Sequence, residues 1–217
     1  MKRILYLTLI TLFSTVTTHA QYKIGDYYEK EGIKGIVVKV DTSGEHGLIM
    51  SLDRFKGEWC TDKKLNFETK AFHEDDGQKN MEAIESYLNQ FGLSWSLFPY
   101  FEWCRSKGKG WYAPALDELT SIIEAINGSV GTYQETSVAK LESTIQAHGG
   151  ESLFGSVKWP AGGKVPYAIQ SSTEGSKGKV FIAVFVQASP FGSPKVMIAE
   201  GKKSLTRNMG SRAVYKF

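Results

Sequence analysis

No apolar run in the sequence reaches the roughly 20 residues that a membrane-spanning helix needs, and the longest one extends only from Ile4 to about Val16. Two basic residues precede this run and small residues ending at Ala20 follow it, which is the pattern of a cleaved secretory signal peptide. A retained amino-terminal anchor is the alternative, and the shortness of the run disfavours it. We therefore predict that residues 1–20 are removed and that the mature protein is exported to the periplasm, the cell surface or the medium, without spanning the membrane.

Motifs for catalysis and for metal binding are also missing. The chain has no GxSxG elbow, no Walker loop and no dinucleotide-binding fingerprint. After the leader it has three histidines, His46, His73 and His148, and their wide spacing gives no sign of zinc, which takes three or four clustered ligands. We predict that the protein is not an enzyme and that it has no cofactor and no metal site.

Two weaker interpretations stay open. The segment HEDDG, residues 73–77, clusters carboxylates of the kind that bind calcium, although an acidic first turn of a helix explains it equally well. Cys104 and His148 could form a nucleophile and base pair, since such partners meet in space rather than in sequence. Cys104 lies on an apolar helix face, however, which favours a buried and unreactive thiol.

Cysteine is scarce, because Cys60 and Cys104 are the only two in the chain. In an oxidising compartment a pair is more often bonded than free. A disulfide between them would close a loop of about 45 residues and contribute about 3 to 4 kcal/mol. The alternative is that both are buried and reduced, as small apolar side chains.

Charge is nearly balanced overall but not along the chain. The formal net charge is +3, yet residues 21–149 carry 14 basic and 20 acidic side chains, whereas residues 150–217 carry 10 basic and 3 acidic ones. A basic half can bind an anionic partner, although the charges of two halves that fold together can also intermix on one surface. Only Lys202, Lys203 and Arg207 are dense enough to predict a basic patch.

Hydrophobic patterning predicts strands, then helices, then strands. Short runs rich in Val, Ile and Tyr indicate a strand meander over about residues 22–53, and residues 56–76 show no period and are typical of a long loop. Apolar positions at helical spacing predict four helices, in GQKNMEAIESYLNQF, SLFPYFEWCRSKG, LDELTSIIEAIN and SVAKLESTIQAH. The runs KVFIAVFVQ, PKVMIAEG and SRAVYKF predict the later strands.

This order predicts an α+β fold, in which a mostly antiparallel sheet has its helices packed to one side. The chain after the leader has the length of one domain and shows no repeat or linker. We predict a single domain over residues 21–217, with a strand-rich amino-terminal extension over about residues 21–75.

Four further stretches are distinctive in the sequence: WCRSKGKGWYAPALDEL, AHGG, YAIQSSTEG and SRAVYKF. Together they resemble a bacterial family of unknown function that is close to the Fibrobacter major paralogous domain and to the carboxy-terminal domain of Legionella collagen-like adhesins. The resemblance covers roughly residues 98–217 and implies a C-type-lectin-like fold. The matching positions are Trp111, Pro114, Glu118, Leu119, Ser171, Ser172, Thr173 and Arg212.

Three departures from the family pattern matter. Ala113 stands where Leu is usual, Gln170 where Trp is usual, and Ala213 where a Cys normally pairs with the helix Cys. The resemblance therefore implies that Cys104 has lost its partner, so that Cys60 replaces that partner or Cys104 is free.

The matching residues make physical sense as a scaffold. Pro114 fixes the backbone before a helix, Glu118 can accept from free amides of its first turn, and the hydroxyls of Ser171, Ser172 and Thr173 can satisfy backbone groups in a turn. None of these roles is chemical. We predict an architectural role for the matching positions.

Aromatic side chains give the best candidates for binding, because Trp faces can stack on sugars or anchor partner proteins. Trp59, Trp95 and Trp159 occur in loop-like surroundings, although core packing is an equal alternative for each. With Lys202, Lys203 and Arg207 they predict an exported, non-catalytic module that binds a glycan or a cell-surface protein, an anionic one included, and no nucleic acid. The alternative is a structural or assembly component of the bacterial cell envelope.

Overall fold

The computed structural model describes residues 21–62, 67–187, 189–205 and 209–217. The predicted signal peptide and Arg207 lie outside these residues. The helices are α1 (Gly77–Phe91), α2 (Pro99–Ser106), α3 (Leu116–Asn127) and α4 (Glu135–Ala147), with a single 3₁₀ turn at Trp95–Leu97. The strands are β1 (Tyr27–Lys30), β2 (Ile33–Val40), β3 (Gly47–Met50), β4 (Trp111–Tyr112), β5 (Phe154–Lys158), β6 (Lys164–Pro166), β7 (Ile169–Glu174), β8 (Lys179–Val186), β9 (Lys195–Lys202) and β10 (Val214–Lys216).

The first sheet joins the two ends of the described chain. Its strand order is β1-β2-β3-β10-β4, and every pair is antiparallel. Glu31 and Gly32 connect β1 to β2, and both have positive φ, 52° and 82°, as a two-residue hairpin turn of the primed type requires. The carboxy-terminal strand β10 thus lies between the amino-terminal meander and Trp111.

The second part of the chain forms a hairpin and a second sheet. β5 pairs with β6, and β7, β8 and β9 form a three-stranded antiparallel sheet with β8 in the centre. The α+β class with mostly antiparallel sheets is therefore confirmed. The strands β4, β5, β6 and β7 were absent from the sequence prediction. The first three have two to five residues, which give too little alternation to recognise. Residues 171–173, which the sequence analysis placed in a turn, lie in the buried strand β7.

Two groups of buried side chains lie on opposite faces of both sheets. In β2, Val37 belongs to one group while its neighbour Val38 belongs to the other. In β8, Ile182 and Ala183 divide in the same way. The continuous apolar run of β8 thus reflects a strand covered on both faces, as its sequence predicts. Side chains of α1 and α2 belong to one group and those of α3 and α4 to the other, so the prediction that the helices pack to one side was wrong.

All four predicted helices are present, although α4 begins at Glu135, two residues before the predicted stretch. The Asp76 carboxylate accepts hydrogen bonds from the amides of Gln78 and Lys79 at the start of α1, and Gly92 ends that helix in the left-handed conformation. Pro99 occupies the first turn of α2.

Within the described part of the chain, no helix has the length and apolar character that crossing a membrane requires. The described residues of the interval 56–76 contain no helix and no strand.

Candidate functional site

The matching positions of the sequence motifs meet in a buried polar joint. The amide and the hydroxyl of Ser172 both donate to the carbonyl of Pro114, at 2.6 and 3.1 Å. The hydroxyl oxygen of Thr173 accepts the amide of Leu116 at 3.0 Å and donates to the carbonyl of His73 at 2.8 Å. The two motifs are thus two halves of one junction, between the start of α3 and β7.

Glu118, which lies in this joint, binds backbone amides at the starts of two helices, α1 and α3. Its carboxylate accepts from the amide of Ala115 at 2.8 Å and from the amide of Gly77 at 3.1 Å. It also accepts from the Tyr112 hydroxyl at 2.7 Å. Burial and the neighbouring carboxylate raise the pKa of Tyr112 well above its ordinary value, so this hydroxyl keeps its proton. Gly77 sits so close to the carbonyl of Ala113 that a side chain there would collide with it.

Arg212, two residues before β10, fixes the segment that follows β3. Its guanidinium is buried and donates to the backbone carbonyls of Ser51, Leu52, Asp53 and Glu151. Its own carbonyl accepts from the Tyr100 hydroxyl at 2.9 Å. Burial lowers the pKa of Arg212 to about 10, and the group is still charged at neutral pH.

All eight matching positions are buried, and most hydrogen bonds of their polar side chains go to backbone groups. Trp111 itself is only 7% exposed. We find no open site among these residues at which their side chains could act together on a ligand. The matching positions are Trp111, Pro114, Glu118, Leu119, Ser171, Ser172, Thr173 and Arg212.

Trp59 requires a correction, because the sequence predicts it on a ligand-facing loop and the structure buries it completely. Its ring meets Phe98 and Phe101 edge to face, with centroids 5.4 and 4.8 Å away. Its indole N–H donates to the carbonyl of Ser171 at 3.0 Å. A buried tryptophan needs one acceptor for its one donor, and this backbone oxygen supplies it. The side chain therefore packs the core and meets no ligand.

The predicted basic patch also requires a correction. Lys203 is 1% exposed and forms an ion pair with Glu174, which is equally buried. The Lys203 ammonium lies 4.7 Å from the centre of the Trp59 ring. Lys202 is exposed, and Arg207 lies outside the described residues. One of the three charges thus points into the core, so the sequence cluster is not a surface cluster.

This ion pair holds part of the long loop against the second sheet. The Glu174 carboxylate accepts from the amide of Thr69 at 2.9 Å, and the Lys203 ammonium donates to the carbonyl of Phe67 at 3.3 Å. The amide of Glu174 donates to the carbonyl of Ala71 at 2.8 Å. These charged groups therefore fix the loop against the second sheet.

Trp95 is half-buried, and one of its faces is occupied. The Arg105 guanidinium lies 4.1 Å from the centre of its ring and forms an ion pair with Glu85 at 2.9 Å. Trp95 packs at the edge of the first buried group, whereas Trp159 packs at the edge of the second. The structure does not bring the three predicted tryptophans into one site.

Trp159 lines an open cleft of about 630 Å³ between the first turn of α4, the β5–β6 hairpin and the loop from β8 to β9. We call it the Trp159 cleft. The centroid of the Trp159 ring is 5.3 Å from that of Tyr133, which stands edge to face with it. The aromatic, charged and amide side chains that line the cleft are Tyr133, Glu135, Phe154, Trp159, Lys164 and Gln187.

Hydrogen bonds fix the loop that carries Tyr133. The Asn127 side chain donates to the carbonyls of Ser129 and Thr132 and accepts from the amide of Gln134. The amide of Gly131 donates to Val196 of β9 at 2.9 Å, and Val196 returns a bond to Thr132 at 3.3 Å. One wall of the cleft is therefore anchored to the end of α3 and to a strand edge.

The cleft combines aromatic rings with both signs of charge. Burial and the nearby Glu135 carboxylate raise the pKa of Tyr133, so its hydroxyl stays protonated at neutral pH. Glu135 and Lys164 are exposed and supply an acceptor and a donor. Such a cleft can bind a ligand with a flat apolar face and several hydroxyl groups. The sequence indicates Trp159 alone, because Tyr133, Glu135 and Lys164 come from separate segments without a shared motif.

The two cysteines are free and buried in the structure. Burial raises the pKa of Cys60 to about 11 and that of Cys104 well above its ordinary value, so both are neutral thiols at pH 7. His148 is exposed and stacks on Tyr27, with centroids 3.7 Å apart. Cys104 on its buried helix face and His148 on the surface do not form the nucleophile and base pair considered from the sequence.

The acidic segment 73–77 is organised by the fold. Asp76 caps α1, and the carbonyl of His73 accepts from the Asn80 side chain at 2.7 Å. Among the described residues, no three His, Cys, Asp or Glu side chains gather closely enough to hold a metal ion.

No family model matches the chain, and no curated protein is similar enough to be matched with it. The resemblance inferred from the four sequence stretches therefore stays a prediction.

Proposed function

We propose that the protein is an exported, non-catalytic binding module that recognises a glycan in the Trp159 cleft. The observation that carries the proposal is the pairing of Trp159 with Tyr133 beside Glu135, Lys164 and Gln187. An aromatic face packs against the C–H face of a sugar ring, and polar groups at its edge bind the hydroxyls. The volume of about 630 Å³ is sufficient for a short oligosaccharide.

The charge of the preferred glycan depends on the lysines around the cleft. Lys158 and Lys164 are exposed on the two strands of the β5–β6 hairpin. Glu135 opposes them from the other wall. We propose an anionic glycan as the better ligand, held by these two lysines and not by the cluster around Lys203.

A glycan array tests the proposal with two variants. Trp159→Ala removes the stacking face, and we expect binding to the glycans that the wild type selects to fall by about tenfold or more. Trp95→Ala is the matched control, because this Trp is also half-buried but stands under Arg105. Equal binding by Trp159→Ala and the wild type would exclude the cleft as the site.

Retention on heparin resin separates an anionic ligand from a neutral one. Binding through lysines should weaken steeply as salt rises, because exposed charges are screened over about 8 to 10 Å. Unchanged retention at low and high salt would contradict an anionic ligand. Whether the ligand is a glycan would then be decided by the glycan array alone.

Two further parts of the proposal concern fold and compartment. The C-type-lectin-like fold is supported by the joint between the matching residues. In it, the Ser172 hydroxyl donates to the carbonyl of Pro114, and the Thr173 hydroxyl accepts the amide of Leu116. Superposing experimental coordinates on lectin-type domains tests it.

Export is tested by sequencing the amino terminus of the mature protein, which we expect to begin at Gln21.

The second candidate function is a structural or assembly component of the cell envelope. Phe191 favours it, because its side chain is fully exposed and available to a partner. A pull-down from envelope extract that yields one stoichiometric protein partner, together with a blank glycan array, would favour this function over glycan binding.

A further inference from the structure

Two hairpin loops lie side by side at one end of the second sheet. Gln187 ties them together, since its side chain accepts from the amide of Ala161 at 3.5 Å and donates to the carbonyl of Gly192 at 2.8 Å. The first loop is the β5–β6 turn, residues 159–163, and the second contains Gln187 and residues 189–194 between β8 and β9. We call these residues, with the strand ends beside them, the hairpin tip.

Apolar side chains are exposed at the hairpin tip. Phe191 is 100% exposed, and Val186 and Met197 on the adjoining strands are 38% and 46% exposed. A groove of about 370 Å³ next to them is lined by Trp159 and Val184, among others. A single exposed apolar side chain is ordinary, but several at one end of a sheet indicate a surface that contacts something apolar.

Most of the charges around the tip are positive. Of the five lysines in residues 152–199, Lys177 and Lys179 lie at the opposite end of β8, and the one acid, Glu174, is buried against Lys203. Lys158, Lys164 and Lys195 are exposed on the strand ends nearest the tip. Glu135, which lines the neighbouring Trp159 cleft, is the acid that faces this region from α4.

We propose that the hairpin tip docks on an anionic lipid surface. Phe191 enters the boundary between headgroups and acyl chains, and Val186 and Met197 follow it. The three lysines face the headgroup phosphates. The arrangement of apolar tip and basic rim fits a lipid surface better than a protein partner, because the apolar atoms protrude on a loop while the positive charge surrounds them. The tip and the Trp159 cleft share Trp159, Lys164 and Gln187, so lipid docking and glycan binding use overlapping surfaces.

Co-sedimentation with vesicles tests the proposal on the mature full-length protein. We expect binding to vesicles of equal parts phosphatidylglycerol and phosphatidylcholine, and little binding to phosphatidylcholine alone. Phe191→Ser should weaken binding by about tenfold, since the buried area of one Phe is lost. Phe91→Ser is the matched control, because Phe91 is 57% exposed on α1, and it should bind as the wild type does.

The charge is tested by a second matched pair. Lys195→Glu should weaken binding by about tenfold at low salt, and less at high salt. Lys177→Glu has the same change of charge at the opposite end of β8, and we expect a smaller effect from it. Equal effects of the two reversals would indicate attraction by net charge alone and would contradict docking through the tip.

Phe191→Trp gives a direct readout of insertion. Its emission should shift to the blue on the anionic vesicles and not on phosphatidylcholine. Absence of the shift, or wild-type binding by Phe191→Ser, overturns the proposal, as does equal binding to both kinds of vesicle. Unfolding in urea checks that each variant is folded, which is expected because Phe191 contacts little in the structure.

Discussion

The buried joint and the Trp159 cleft make opposite use of polar side chains. In the joint, Ser172, Thr173 and Glu118 bond to backbone groups and are almost inaccessible. In the cleft, Glu135 and Lys164 are exposed, and the aromatic rings hold each other in place. The difference shows that the segments most easily recognised in this sequence hold parts of the backbone together, whereas the proposed binding cleft consists of residues without a motif.

The largest effect expected from this contrast is at Arg212. Arg212→Met removes a buried guanidinium that donates to four backbone carbonyls, of which those of Leu52 and Asp53 keep another donor, and we expect the free energy of unfolding to fall by about 3 to 5 kcal/mol. Urea unfolding of the purified protein measures it. Arg105→Met is the control, since Arg105 is exposed, and it should cost about 1 kcal/mol or less.

If Arg212→Met and Arg105→Met lowered the free energy of unfolding by similar amounts, buried and exposed arginines would not differ as we expect. Arg212→Lys tests this difference further. A lysine keeps the positive charge but lacks the planar set of donors that reaches four carbonyls, so we expect it to recover only part of the stability.

The buried pair of Glu174 and Lys203 gives the next effect. Glu174→Gln leaves an unpaired ammonium in the core, and Lys203→Met leaves an unpaired carboxylate, so each should destabilise the protein by about 3 kcal/mol. The double variant should lose less than the two single losses added together, because no charge is then left alone. Urea unfolding of all four proteins gives the coupling, and strict additivity would show that the two groups do not stabilise each other.

Much of the fold could be predicted from the sequence, because its signals are local. The four helices show apolar faces at helical spacing, and Gly92 and Gly128 mark the ends of two of them. The strands β2 and β8 are long enough to recognise. The two-residue β4 is a strand only because β10 pairs with it, and no local pattern contains that information.

The site could be predicted only in part, because burial depends on contacts between distant segments. Trp59 and Trp159 both follow short polar or glycine-rich stretches, yet Phe98 and Phe101 cover the first and leave the second open. Lys202 and Lys203 are neighbours in sequence, and Glu174 turns only the second one inward. A charge cluster in the sequence is thus not yet a charge cluster on the surface.

Trp159→Ala should have a modest effect on stability, in contrast to the joint. The side chain is partly exposed and packs at the edge of the second buried group, so we expect a loss of about 1 to 2 kcal/mol in urea unfolding. Glycan binding should nevertheless be lost. A loss as large as that of Arg212→Met would place Trp159 with the scaffold and remove the distinction between the two regions.

Glu200 on the exposed edge of β9 should give the smallest effect. Hydrogen bonds from the Ser176 hydroxyl and amide, and then Lys179, lower the pKa of Glu200 to about 2. Because its folded-state pKa is depressed, its contribution is present above the ordinary glutamate pKa of about 4.3 and is lost as pH falls toward 2. Glu200→Gln should therefore be slightly less stable than the wild type at pH 7, and the difference should be much smaller at pH 2. The same difference in stability at both pH values would show that this exposed carboxylate contributes through packing and not through its charge.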